Sequence, residues 1–181
     1  FAGCNLTCRR DMDGFDCDTE FAGGRVLPVD EVVREASLLW NGIDARGKPS
    51  QAVILTGGEP TLQVDLELME ALHGAGWFIA MESNGLRPVA APSLLDWLCV
   101  SPKTAEHTLQ PERMIDELKY VRHHGQALPK PRLTAGAYFL SPAWTDDPVE
   151  TRRNIAWCVP LVKENPTWRL SIQQHKILAL R

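Results

Sequence analysis

Three cysteines near the start of the sequence have the spacing that most clearly indicates chemistry. Cys4, Cys8 and Cys17 follow one another as C-x3-C-x8-C. Thiolates this close together on a loop can converge on one metal ion or one iron–sulfur cluster. A structural zinc site normally closes with four protein ligands, whereas three thiolates on a cubane cluster leave one iron open to a small molecule. The spacing alone leaves an open cluster, a zinc loop completed by a histidine, and chance as interpretations.

Two further segments combine glycine or polar residues with a preceding apolar run. TGGEP at 56–60 follows the run 52–55, and SPK at 101–103 follows the run 97–100. Glycines let a ligand approach closely, and they are expected here to leave backbone amide and carbonyl groups available to bind it. Either segment alone is also typical of an ordinary strand-end turn, so neither identifies a site by itself.

The elements that must position these segments alternate between short apolar strands and helical patterns. Helices are predicted to begin near Asp30, Leu66 and Asp147, and Pro160 is expected to kink or end the last one. Strands are predicted at 52–55, 77–81, 97–100, 118–121, 137–140 and 168–172. This alternation predicts a parallel sheet with crossovers, whose carboxyl ends carry the polar segments.

Chain length limits the size of that sheet. The sequence has 181 residues, fewer than the roughly 250 typical of an eight-fold barrel. The expected fold class is therefore α/β, as a partial (modified) TIM barrel with a parallel sheet and few helices. Residues 1–181 are expected to form a single domain.

Composition and charge exclude several classes of partner. The net charge of −4 argues against a general nucleic-acid or anionic-membrane surface. No apolar run approaches the length of a membrane span. The five cysteines are an odd number clustered at one end, unlike a secreted disulfide framework. We expect a cytoplasmic protein without nucleic-acid or membrane partners.

Taken together, the motifs resemble those of radical S-adenosylmethionine enzymes and, among these, the 7-carboxy-7-deazaguanine synthase family. Most of the superfamily has C-x3-C-x2-C, so the resemblance implies an insertion between Cys8 and Cys17. The motifs that carry the resemblance are GCNL at 3–6, CDT at 17–19, GGEP at 57–60, ESNG at 82–85, SPK at 101–103 and RLSIQQHK at 169–176.

The resemblance implies an activity. The family converts 6-carboxy-5,6,7,8-tetrahydropterin to 7-carboxy-7-deazaguanine with release of ammonia, a step toward queuosine and related 7-deazapurines. The chain is thus expected to be a carbon–nitrogen lyase. Its family's first barrel strand lies mostly before the position of Phe1, so the sequence is expected to lack most of that strand.

The resemblance also implies the cofactors and their ligands. Cys4, Cys8 and Cys17 are expected to hold a [4Fe-4S] cluster, whose electron cleaves S-adenosylmethionine to a 5'-deoxyadenosyl radical that abstracts a substrate hydrogen. Thr19 is expected to bind Mg²⁺. The expected contacts to S-adenosylmethionine are Gly58, Ser83, Ser101, Pro102, Lys103 and Ser141, and those to the substrate are Thr56 and Arg181.

The implied partners are the small-molecule pterin substrate and an electron donor such as flavodoxin or ferredoxin, and a homodimer is left open. Two alternatives to this function remain. One is another radical S-adenosylmethionine enzyme, such as a glycyl-radical activase, which acts on a protein. The other is a non-catalytic interaction module that binds zinc or a cluster, for which the polar strand ends have no evident purpose.

Overall fold

One parallel sheet organises the chain. The computed structural model describes residues 1–9, 17, 23–40 and 51–178. Within these ranges there are six strands, β1 (Ala52–Leu55), β2 (Phe78–Ser83), β3 (Trp97–Val100), β4 (Ile115–Arg122), β5 (Ala135–Pro142) and β6 (Trp168–Leu170). Each strand pairs in parallel with the next in chain order, so all their carboxyl ends lie at one edge. In the described part β1 and β6 do not pair, so the sheet is open.

Few helices accompany the sheet, as expected for a partial barrel. They are α1 (Val29–Leu39), α2 (Leu66–Gly74), α3 (Pro148–Glu164) and the short α4 (Gln174–Ile177), with single 3-10 turns at Pro60–Leu62, Pro92–Leu94 and Glu106–Thr108. Both crossover helices begin at an aspartate whose side chain accepts a backbone N–H, Asp65 for α2 and Asp147 for α3. Such caps satisfy amides that have no partner inside the helix.

The two faces of the sheet differ in burial. One face is the hydrophobic core, which α2 covers, and its fully buried strand residues are Ile79, Met81, Leu98, Val100, Leu118 and Leu140. On the other face Ile54, Phe78 and Trp97 are 61%, 46% and 40% exposed. We call this second face the open face. Because strand side chains alternate between faces, each strand contributes to both.

The predicted fold class is confirmed. The strand predicted at 97–100 is β3, whereas β4 and β5 extend beyond the predicted ranges 118–121 and 137–140. The prediction that Pro160 could end the last helix is wrong, because α3 continues to Glu164. Fully buried Cys158 and core-packed Leu161 hold the helix on either side of the proline. No helix in the described part of the chain is long and apolar enough to cross a membrane.

Candidate active site

The segment before the first cysteine docks against the residues that follow β1. The Phe1 nitrogen donates to the Thr56 carbonyl oxygen at 2.8 Å, and the Gly58 amide donates to the Phe1 carbonyl oxygen at 2.9 Å. The Glu59 amide then donates to the Gly3 carbonyl oxygen at 2.8 Å. These hydrogen bonds hold Cys4 at the carboxyl edge of the sheet, where the polar segments were predicted to lie.

Gly57 and Gly58 make this close approach possible. Gly57 has φ +131°, and a methyl group there would lie 2.0 Å from the Phe1 carbonyl oxygen. A methyl group on Gly58 would lie 1.9 Å from the Gly3 carbonyl oxygen. The two glycines therefore accommodate the chain's own cysteine segment. The expectation that the amides here are available to a ligand is wrong for Gly58 and Glu59, since both already donate within the chain.

Glu59 is a buried carboxylate at the centre of the edge. It is 0% exposed. Its Oε1 accepts from the Thr61 hydroxyl at 2.6 Å and the Ser83 hydroxyl at 2.8 Å, and its Oε2 accepts from the Asn84 amide at 2.7 Å. A buried charge is tolerated when it is fully hydrogen-bonded in this way. Glu59 thereby ties the segment after β1 to the segment after β2.

A second link runs from β2 to the cysteine segment. The Asn84 side-chain amide donates to the Asn5 side-chain oxygen at 2.8 Å, and Asn5 adjoins Cys4. Sequence reasoning did not place Asn5, Glu59 or Asn84 among the site residues. The available signal was the asparagine in GCN and ESNG, because asparagine side chains favour hydrogen bonds that shape turns.

The three cysteines differ in their surroundings. Cys4 and Cys8 are half-buried, Cys17 is exposed, and no cysteine, all of which lie in described positions, forms a disulfide. The Leu6 amide donates to the Cys4 sulfur at 3.4 Å. In the described ranges no three His, Cys, Asp or Glu side chains lie close enough together to hold a metal ion. The structure thus places Cys4 at the sheet edge without gathering the three thiols.

The predicted ligand contacts after β2 and β3 adjoin one another. The Ser83 hydroxyl is already engaged, donating to Glu59 and accepting from the Gly85 amide at 3.0 Å. The Ser101 amide donates to the Ser83 carbonyl oxygen at 2.8 Å, which joins the two strand ends. Ser101 Oγ accepts from Lys103 Nζ at 2.6 Å, so SPK has an internal polar contact.

The remaining predicted contacts lie in different places. Thr56 is exposed directly after β1, at the docking point of the cysteine segment. Ser141 is buried near the carboxyl end of β5, three strands from β2. It was expected in the turn after that strand but belongs to the strand itself. The predictions for Thr19 and Arg181 fall outside the described residues.

Charged side chains line the open face below this edge. Lys119 Nζ lies 2.7 Å from the Glu82 Oε1 oxygen. Burial raises the pKa of the adjacent Cys99 thiol to about 12, so the thiol stays neutral near pH 7. Burial alone would lower the pKa of Lys119, but the Cys99 thiolate that forms at high pH and the carboxylates of Glu82 and Glu117 together outweigh burial and raise that pKa. Lys119 is therefore a charged ammonium facing carboxylates.

An open parallel sheet with a cysteine segment and a glycine-rich turn at its carboxyl edge fits the partial-barrel fold of radical S-adenosylmethionine enzymes that the motif resemblance implies. No protein-family model matches the chain. The 7-carboxy-7-deazaguanine synthase of Bradyrhizobium diazoefficiens is 39% identical, covering 100% of this chain and 87% of its own. That of Bacteroides thetaiotaomicron is 37% identical, covering 100% and 85%. The chain belongs to the 7-carboxy-7-deazaguanine synthase family.

A third relative and a solved structure show further similarity. The 7-carboxy-7-deazaguanine synthase of Caulobacter vibrioides is 34% identical over 99% of this chain and 87% of its own. The crystal structure of QueE from Escherichia coli has a TM-score of 0.49 and 23% identity, covering 81% of this chain and 64% of that one. The family named from the motifs is confirmed by the curated relatives.

Proposed function

We propose that this chain converts 6-carboxy-5,6,7,8-tetrahydropterin to 7-carboxy-7-deazaguanine with release of ammonia, using S-adenosylmethionine and an iron–sulfur cluster. Membership of the 7-carboxy-7-deazaguanine synthase family, at 39% identity along the full chain, carries this proposal. The docking of the cysteine segment at the carboxyl edge supports it, because ligands of α/β folds bind at that edge.

The donor set fits a [4Fe-4S] cluster. Cys4, Cys8 and Cys17 supply three thiol ligands, and Cys4 is held at the edge with a backbone amide directed at its sulfur. When bound, the cluster supplies the electron that starts radical chemistry on the substrate. Since metal binding commonly couples to the ordering of its own ligands, we expect loading to bring the three thiols together.

Residues of this chain are proposed to contact S-adenosylmethionine, Mg²⁺ and the substrate. The Gly58 carbonyl oxygen accepts no hydrogen bond from the described residues, so it remains open to the amino group of S-adenosylmethionine. Thr19 is proposed to bind Mg²⁺, a hard ion that prefers oxygen ligands. The other proposed contacts to S-adenosylmethionine are Ser83, Ser101, Pro102, Lys103 and Ser141, and those to the substrate are Thr56 and Arg181.

The proposed reaction needs an outside source of electrons, for which we propose flavodoxin or ferredoxin. We also propose a location in the reducing cytoplasm, because five cysteines clustered towards one end are unlike a secreted disulfide framework. Association of two copies stays a prediction, tested by sedimentation of the loaded protein.

The function is tested by anaerobic reconstitution and assay. Protein loaded with iron and sulfide should hold about four irons per chain and form 7-carboxy-7-deazaguanine from the pterin substrate. Cys17→Ala should lose both cluster and activity, whereas Cys158→Ala should keep both, because Cys158 is a fully buried residue of α3 and no part of the cysteine segment. A normal cluster in the Cys17→Ala protein would contradict the ligand set, and absence of product from the loaded parent would contradict the function.

The Mg²⁺ proposal has a separate test. Thr19→Ala should slow turnover while leaving the iron content unchanged, and added Mg²⁺ should stimulate the chelator-treated parent. Equal parental rates with and without Mg²⁺ would remove Thr19 from the site.

A further inference from the structure

A buried asparagine on α3 joins two strand ends at the carboxyl edge of the sheet. Asn154 is 1% exposed and lies in the second turn of α3. Its side-chain oxygen accepts from the His124 backbone amide at 2.8 Å, and its side-chain nitrogen donates to the Ala143 carbonyl oxygen at 2.9 Å. His124 follows β4, whereas Ala143 follows β5. Asn154 therefore connects the segments that leave these two strands.

A backbone hydrogen bond fixes the same two segments. The Ala143 amide donates to the carbonyl oxygen of Arg122, the last residue of β4, at 2.9 Å. Both backbone polar groups of Ala143 are thus engaged, one by β4 and the other by Asn154. The two partners of Asn154 require an acceptor and a donor, which a side-chain amide supplies in one orientation. An aliphatic side chain at this position could hold neither segment.

The segment that Asn154 holds includes a proposed ligand contact. Ser141 lies two residues before Ala143, next to the end of β5. Leu140 is fully buried in the core, so strand alternation places Ser141 on the open face. The helix α3 lies on the other side of the sheet, where its residues Leu161 and Val162 pack against the core. Asn154 therefore acts on Ser141 through the backbone, from the core side.

We propose that Asn154 is a positioning residue for S-adenosylmethionine. By fixing Ala143 against His124, it holds the end of β5 where Ser141 contacts the cofactor. This inference rests on the proposed function, from which it takes both the ligand and the Ser141 contact. A binding group keeps a productive geometry only when neighbouring hydrogen bonds hold its own backbone in place. Without Asn154, the carbonyl oxygen of Ala143, a residue that is 2% exposed, would be buried without a partner, and the segment would shift.

The test separates positioning from simple structural support. Asn154→Leu replaces the amide by an aliphatic group of similar size. It should raise KM for S-adenosylmethionine about tenfold, because the end of β5 loses a buried hydrogen bond. KM for the pterin and the iron content should change little, since neither depends on this segment.

Asn165→Ala is the matched control. The side-chain amide of Asn165 donates to the Leu161 carbonyl oxygen at 2.8 Å, at the end of α3 that lies away from the carboxyl edge. Its loss should lower the stability to urea and leave both KM values unchanged. A purely structural effect reduces the amount of folded enzyme and does not change KM.

Binding measured without turnover gives a second readout. S-adenosylmethionine is titrated into oxidised, cluster-loaded protein, where no reductant is present to cleave it. Asn154→Leu should bind it more weakly by the same factor as the rise in KM, whereas Asn165→Ala should bind it like the parent. In a double-mutant cycle, Ser141→Ala should add little to Asn154→Leu, because Asn154 acts through the placement of Ser141.

Each result decides the inference. Unchanged KM and affinity for S-adenosylmethionine in Asn154→Leu, with an active parent, would overturn it and leave the proposed function intact. Equal increases in both KM values, or additive effects of Ser141→Ala and Asn154→Leu, would overturn it as well. If Asn154→Leu fails to fold, Asn154→Ala removes the same two hydrogen bonds and leaves room for water, and a normal KM there would overturn the inference. A loaded parent that makes no 7-carboxy-7-deazaguanine overturns the proposed function, and this inference with it.

Discussion

The side chain of Asn84 donates a 2.8 Å hydrogen bond to the side-chain oxygen of Asn5, joining positions that lie 79 residues apart. Asn5 follows Cys4 directly. The backbone amide of Asn84 donates to the buried Glu59 carboxylate at 2.7 Å. The cysteine segment is therefore attached to the sheet through a network of polar side chains as well as through its backbone.

Asn5→Ala should loosen the cysteine segment without unfolding the protein. The change removes the acceptor of the Asn84 side-chain amide. Leaving a buried donor without its partner costs about 1–3 kcal/mol of stability. We expect faster loss of iron to a chelator after reconstitution, with an unchanged far-UV spectrum. Thr7→Ala, an exposed position in the same segment, is the control and should lose iron at the parental rate. Equal rates for both variants would show that the Asn84 contact does not hold the segment.

Glu59→Gln should destabilise the whole domain. The replacement amide cannot accept at both positions, so the donors from Thr61, Ser83 and Asn84 lose part of their bonding. We expect the free energy of unfolding in urea to fall by about 2–3 kcal/mol. Glu70→Gln, on the exposed side of α2, should change it by less than about 0.5 kcal/mol. If Glu59→Gln changes the free energy of unfolding as little as Glu70→Gln does, the hydrogen bonds of Glu59 do not stabilise the domain.

Gly58→Ala should displace the cysteine segment. Its new methyl group meets the Gly3 carbonyl oxygen at 1.9 Å, and backbone cannot yield as a flexible side chain can. We expect a folded protein that takes up little iron. Gly74→Ala is the matched control, because nothing lies within 4 Å of its added methyl group at the end of α2, and it should load normally. Full iron uptake by Gly58→Ala would contradict the docking of the segment against Gly58.

Much of the fold could be predicted from local sequence, because short apolar runs bounded by Gly and Pro are typical of buried parallel strands. The run at 97–100 is β3 within a residue. Glu82 and Ser83 are adjacent in the ESNG motif, but their side chains lie on opposite faces of the sheet. This also follows from the alternation of side chains along a strand. The contact between Asn5 and Asn84 could not be predicted, since it depends on which distant segments meet at the sheet edge. The continuation of α3 past Pro160 could not be predicted either, because it depends on the packing of buried residues on both sides of the proline.

Glu106 gives the fold a dependence on pH that is separate from the cofactor site. Its carboxylate accepts from the Tyr120 hydroxyl at 2.6 Å and from the Arg132 and Leu133 amides at 2.7 and 3.0 Å. Burial alone would raise the pKa of Glu106, but these hydrogen bonds outweigh it and lower that pKa. Burial, together with the same carboxylate, raises the pKa of Tyr120, so the phenol remains a donor.

The sign of the effect follows from that lowered pKa. Because Glu106 is more acidic folded than unfolded, its stabilisation is complete above the ordinary glutamate pKa of about 4.3 and is lost as pH falls through the lower folded pKa. Glu106→Gln should therefore lower the free energy of unfolding near neutral pH, and the difference from the parent should shrink on acidification below about pH 4. Urea unfolding at several pH values measures it, with the exposed Glu67→Gln as the control. A difference that stays constant across this range would show that the contribution of Glu106 comes from packing and not from its charge.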